Sequence, residues 1–187
     1  LAKLGAALGV TVDASLAGLG VHYEFRRSYR SGLEADGPLS PGWDHNYDQR
    51  ILGTVITNRQ SPSFVPTAVG DIISINCDKT VQYQDGQGNV ELFTESRWDW
   101  GLGTGSGPIE YFTGQTPDST LEYHWTIFGD GSYWRLVRND GLATTFDSAG
   151  FLSAITDPAG NALTFTWRRA SGARPAPGVD CRGSVYT

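Results

Sequence analysis

Apolar and polar side chains alternate one for one over two stretches of the chain. Leu121, Tyr123, Trp125 and Ile127 alternate with Thr120, Glu122, His124 and Thr126, and further on Leu163, Phe165 and Trp167 alternate with Ala162, Thr164, Thr166 and Arg168. A period of two places each set on its own face of a strand, so both stretches predict half-buried β-strands. Between them turn glycines recur at Gly131, Gly141, Gly150 and Gly160, in steps of ten, nine and ten residues. Asp130, Asn139-Asp140, Ser148-Ala149 and Asp157-Pro158-Ala159 precede them, residues that favour tight reversal. Strands at this spacing predict an antiparallel meander.

The same pattern extends upstream. Val10-Thr11-Val12, Val21 to Arg26, Ile72 to Ile75, Val81 to Gln84, Val90 to Thr94 and Ile109 to Thr113 all read as strands, with Asp85 to Asn89 as a hairpin turn. Residues 58–66 read as a polar loop bearing prolines, and residues 101–108, with four glycines, as a flexible loop. No apolar stripe of period 3.6 runs to helical length, so the expected fold class is all-β, a meander of short strands and hairpins. The chain divides into a Gly/Ala-rich apolar segment over 1–20, a β-sheet domain over 21–169, and a linker or divergent end over 170–187.

Composition agrees with a β protein crowded with turns. Of 187 residues 24 are glycine, aromatics make up 12% and charged residues only 18%. A net charge of −6 without a long basic run argues against nucleic acid as a partner. The apolar start is broken by Lys3, Asp13 and several glycines, too short and interrupted to span a bilayer. Cys77 and Cys181 cannot make a zinc site alone, and two unpaired thiols are favoured over a disulfide between them. No methionine occurs, and the chain reads as a piece of a longer one.

Candidate chemistry is sparse. The run Gly101 to Gly107 lacks the third glycine of a dinucleotide fingerprint and the helix that should follow it. Asp44, Asn46 and Asp48 have the first spacings of a calcium loop, but Gln49 stands at the turn glycine and Val55 at the closing glutamate. No G-x-S-x-G elbow occurs. His22, His45 and His124 are scattered, and most aspartates sit at turn positions where backbone capping accounts for them. These residues point to no catalytic, cofactor-binding or metal site, and the chain is expected not to be an enzyme. Trp98, Trp100, Trp125 and Trp134 could form a stacking platform for sugars or fill a sheet face, and the shared face of Trp125 with Leu121 and Tyr123 favours packing. Arg26, Arg27 and Arg30, followed by Asp44 and Asp48, suggest a salt-bridged corner.

Two stretches carry a family resemblance. Arg26-Arg27-Ser28-Tyr29-Arg30-Ser31, then Gly37-Pro38-Leu39, then Gly42-Trp43-Asp44-His45-Asn46-Tyr47, resembles the segment R-S-Y-N-S … G-P-x-G-x-G-W-x-H-N-Y found ahead of the repeats in bacterial Rhs/YD-repeat proteins. Phe146-Asp147-Ser148-Ala149-Gly150-Phe151-Leu152, then Ile155-Thr156-Asp157-Pro158-Ala159-Gly160-Asn161, then Leu163 to Trp167, is similar to the YD unit Y-D-x-x-G-R-L-x-x-I-T-D-P-x-G-N-x-L-T-F-x-Y. Phe146 and Phe151 depart from the unit's tyrosine and arginine, and no second unit follows Arg168. The leading motif then covers 26–51 and the YD-like unit 146–167.

The resemblance implies a spiral β-sheet that winds into a hollow cocoon around a C-terminal toxin domain. It implies that toxin domain of the same polypeptide, and secretion-apparatus proteins, as partners, and a secreted or cell-surface location. It implies no cofactor. Arg26, Tyr29, Gly37, Pro38, Gly42, Trp43, Asp44, His45, Asn46 and Tyr47 would act structurally in a plug or corner, with Trp43 and Tyr47 packing and Asp44 and Asn46 satisfying turn backbone. Asp147, Gly150, Asp157, Gly160 and Asn161 would form the turns of the repeat. The alternative reading is a carbohydrate-binding β-module that uses exposed tryptophans.

Overall fold

Residues 8–18, 20–31, 39–67, 70–99, 107–126 and 131–167 are described by a computed structural model, and among them every regular element is a β-strand. The all-β expectation holds. Strands β1 (Leu8–Leu16), β2 (Tyr23–Arg30) and β3 (Trp43–His45) form a three-stranded sheet in that order. A nine-stranded sheet follows in strict chain order. It comprises β4 (Arg50–Thr67), β5 (Gly70–Gln84), β6 (Val90–Asp99), β7 (Ile109–Gly114), β8 (Ser119–His124), β9 (Tyr133–Arg138), β10 (Ala143–Phe146), β11 (Leu152–Thr156) and β12 (Ala162–Thr164). All strand pairs are antiparallel, as a meander requires.

Register turns the alternation into two apolar rows on one face. Phe112, Leu121, Leu136, Thr144, Ile155 and Leu163 lie opposite one another from β7 to β12. One step along, Glu110, Tyr123, Trp134, Phe146 and Leu152 do the same. Phe93, Phe112, Leu121, Phe146, Leu152 and Val81 are wholly buried along this face. The sheet curls around it, as the right-handed twist of strands favours. The start of β4 meets the β10–β11 turn, where Ile51 N–H donates to Gly150 O at 2.9 Å and Arg50 bridges Phe151.

Four hairpins share one turn. In Asp85–Asn89, Arg138–Leu142, Asp147–Phe151 and Asp157–Asn161 the first N–H donates to the fifth carbonyl, and the fourth residue, a glycine, donates back to the first carbonyl. Those glycines, Gly88, Gly141, Gly150 and Gly160, have φ between +75° and +88°, which suits a type I turn closed by a left-handed residue. The three leading aspartates add a clamp. In each, Oδ1 accepts the N–H of the third and fifth residues at 2.8–3.0 Å. Gly131 falls outside this group, and residues 127–130 before it, Ile127 included, lie outside the described residues.

Several elements differ from expectation. Residues 72–75 and 81–84, read as two strands, belong to the single strand β5, and the second alternating stretch is a strand only over Ala162–Thr164. The Val10–Val12 piece is part of the nine-residue strand β1, paired along its length with β2. Residues 58–66, expected as a loop, run inside β4, with the register shifting between Asn58 and Pro62. Proline cannot donate to a ladder, but β4 ends the nine-strand order, so one side of its backbone needs no donor. Residues 101–106 and 168–187 lie outside the described residues, as do the side chains of Cys77 and Cys181.

Candidate functional site

The three-stranded sheet is held against the nine-stranded one by residues of the leading motif. Asn46 fixes the chain after β3: its Oδ1 accepts Arg26 N–H at 2.9 Å and its Nδ2 donates to Glu24 O at 2.7 Å. Tyr47 follows, buried, with its hydroxyl accepting Glu24 N–H at 3.0 Å. Its ring stacks on Tyr23 with centroids 5.6 Å apart and meets Phe165 at 4.9 Å. His45 is buried between Phe25, at 5.3 Å, and Trp167, at 6.4 Å. The Trp167 indole N–H donates to Leu152 O. Trp43 is half-buried, tilted on Tyr29 at 5.1 Å with the Arg27 guanidinium 5.3 Å from its ring. Gly42 O accepts Arg30 N–H.

The leading motif and the YD-like unit are therefore in direct contact, although about a hundred positions separate them. Of the expected structural residues, Arg26, Tyr29, Gly42, Trp43, Asp44, His45, Asn46 and Tyr47 gather in this module. Gly150 lies at the sheet closure beside Ile51, and Asp157, Gly160 and Asn161 form a neighbouring turn. Gly37 and Pro38 lie outside the described residues.

The expected salt-bridged corner forms differently. Arg27 pairs with Asp13 on β1, Arg26 lies 3.9 Å from Glu24, and Arg30 donates to Asn89 at 2.8 Å. Asp48 is held instead by both arms of Arg50. Register decides this: Arg27 stands between Thr11 and His45, so its guanidinium can reach the β1 aspartate. Asp44 and Asp48 are both buried. Burial raises the Asp44 carboxyl to about 7, and the Asp48 charge adds to the shift. Burial likewise lowers the imidazole of His45 below its ordinary range.

These shifts predict a pH dependence. Asp44 keeps its proton in the folded state to about pH 7, whereas the unfolded chain loses it near pH 4, so this group favours folding at acid pH. That contribution fades as pH rises from about 4 and is gone above about 7. His45 acts oppositely, resisting protonation in the fold and removing stability as pH falls below about 6.5. Asp44→Asn imitates the protonated form. In urea titrations it should gain on wild type between pH 4.5 and 7 (roughly the interval between the two Asp44 values). A wild-type-to-variant difference constant over that interval would refute the assignment.

Between the module and the sheet runs a groove of about 610 Å³. His22, Glu24 and Arg26 line one side, Arg138, Asp85 and Asp157 the other, over a floor that includes Tyr83, Leu136 and Ile155. The Tyr83 hydroxyl donates to Gln49 Oε1 at 3.0 Å, and burial raises its pKa. Charged side chains of both signs line this groove. His45 is buried in the module, and His124 pairs with Glu122 at 2.8 Å on β8, so the three histidines do not converge. Burial tends to raise the Glu122 carboxyl, but His124 and Arg135 outweigh it and hold it low. The calcium-like spacing resolves into separate duties, with Asn46 on the β2 backbone and Asp48 on Arg50. Among the described residues no three His, Cys, Asp or Glu side chains gather as a metal site would need, and no helix is long and apolar enough to cross a membrane.

Among the described tryptophans, Trp43 and Trp167 belong to the seam and Trp134 to the core. Trp134 is 2% exposed and packs on Phe112 and Tyr123. Trp125 meets Tyr123 edge-on at 4.9 Å. The side chains of Trp98 and Trp100 lie outside the described residues. Sequence reasoning missed the buried Lys79–Glu110 ion pair, 2.6 Å long between β5 and β7. Nothing local marks it, because it depends on the register of two strands with a third between them.

Among protein families, one described as a domain of unknown function (DUF6531) matches residues 3–62. That span covers β1 to β3 and part of β4, and includes the leading motif but not the YD-like unit. No curated protein and no solved structure matches the chain.

Proposed function

We propose that this chain is a wall segment of a bacterial Rhs/YD-repeat shell, which encloses a C-terminal toxin domain of the same polypeptide and helps deliver it. Its role is structural, with no active site of its own. One observation carries the reading: Phe165 and Trp167, which close the YD-like unit, pack on Tyr47 and His45, which close the leading motif. The two stretches that resemble the family thus meet in one aromatic seam, as they would where a spiral sheet begins. The curled meander fits the same role. A two-stranded hairpin cannot bury its apolar face alone, and successive strands sharing one concave core resolve that. Delivery implies a secreted or cell-surface location and contact with secretion-apparatus proteins.

The carbohydrate-binding alternative draws less support. Trp134 is in the core and Trp125 leans on Tyr123, while Trp167, stacked on His45, is 36% exposed. The test uses the full polypeptide that contains this chain. Its C-terminal domain should resist protease, and deletion of residues 21–167 should expose it to cleavage. Equal protection with and without that segment would sink the proposal. Quenching or shift of tryptophan emission on titration with oligosaccharides would favour the sugar-binding module instead.

A further inference from the structure

The most deeply buried ion pair among the described residues joins Lys79 of β5 to Glu110 of β7, across β6. Lys79 is 6% exposed and Glu110 1%, with Nζ and Oε1 2.6 Å apart. Their surroundings are aromatic. Phe112 and Phe93 on the same face are wholly buried. In the Glu110 row, Trp134 is buried with no hydrogen-bond partner for its indole N–H. A second carboxyl belongs to the same face. Glu95 alternates with Phe93 on β6, pairs with Phe112, and lies one step beyond the Thr80–Thr94 pair, beside Lys79.

We propose that Lys79 and Glu110 close an intramolecular amide, a covalent staple between β5 and β7 with Glu95 as the proton relay. The step begins with transfer of the ammonium proton across the 2.6 Å contact to the carboxylate, which gives the neutral amine and neutral acid that amide formation needs. The Nζ lone pair then attacks the carboxyl carbon. The C–N bond forms and the C–OH bond breaks. Glu95 passes the amine's surplus proton to the departing hydroxyl, which leaves as water. Nothing is oxidised or reduced, and no further reactant is consumed. Fixed contact supplies the drive that the same two groups lack in solution, since held reactants reach effective molarities of about 10⁵ M or more. A bond there would tie strands 31 positions apart in sequence.

Intact-mass spectrometry of the folded chain, denatured just before injection, tests this. Wild type should be lighter by one water, and digestion should release one branched peptide containing residues 79 and 110. Lys79→Arg keeps the ion pair but cannot form this amide, and should show its full mass with an unchanged β-type circular dichroism spectrum. Glu95→Gln should close more slowly. Wild type at full mass after prolonged incubation would overturn the proposal, as would a water loss that persists in Lys79→Arg. A Glu95→Gln variant closing at the wild-type rate would overturn the relay.

Discussion

Gly150→Val should destabilise the chain by about 4 kcal/mol, most of it from opening the sheet closure. Two effects combine at this position. Gly150 has φ +84°, a left-handed conformation that costs an ordinary residue roughly 1–2 kcal/mol. A Cβ there would also stand 2.4 Å from Ile51 O and 3.1 Å from Ile51 Cβ. Ile51 is buried, and its N–H donates to Gly150 O, so relief of the clash moves backbone and breaks the hydrogen bond that joins β4 to the β10–β11 turn. Gly160 provides the control. Its φ is +88°, but an added Cβ would meet nothing within 4 Å, so Gly160→Ala should lose only the conformational part, about 1–2 kcal/mol. Urea midpoints of the two variants separate strain from closure. If both lost the same amount, the contact at Ile51 would contribute nothing.

Tyr47→Ala should cost about 3–5 kcal/mol, the range for truncating a buried aromatic ring. Tyr47 is 7% exposed and belongs to the same buried cluster as Ile51, Val81 and Phe146. It also touches both halves of the seam, Tyr23 of β2 and Phe165 beyond β12. Its loss should therefore free two segments at once. Amide hydrogen exchange should accelerate together in β2 and in residues 162–167, while Val81 of β5 and Phe93 of β6 keep their protection. Tyr47→Phe keeps the ring and removes only the acceptor for Glu24 N–H, so it should lose about 1 kcal/mol. Faster exchange confined to residues near 47 would show that the ring does not hold the module to the sheet.

How far the sequence could be read depended on the range of the interactions. Asp147 to Gly150 and Asp157 to Asn161 were legible because a turn is closed by its own five residues: side-chain clamp, glycine φ and backbone bonds all lie within it. The strand periodicity of β8 was legible for the same reason, since alternate residues need only a buried face on one side. Residues 58–66 misled because their prolines signal a break, and only the outer position of β4 makes them tolerable. The arginine corner misled because charge composition does not say which face a side chain occupies. Arg27 turned to Asp13, and Asp48 to Arg50.

The sequence alone thus determined an all-β chain, the places where it reverses, and the residue types that gather in its leading motif. Tertiary structure decided which of those residues meet. Tyr47 on Phe165, Ile51 on Gly150 and Lys79 on Glu110 are each consequences of register summed over many strands and of the curl of the sheet. A shift of one residue in any intervening pair would send every later side chain to the other face. No local pattern encodes such a sum, and so the concave core, its seam and the buried ion pair became visible only in three dimensions.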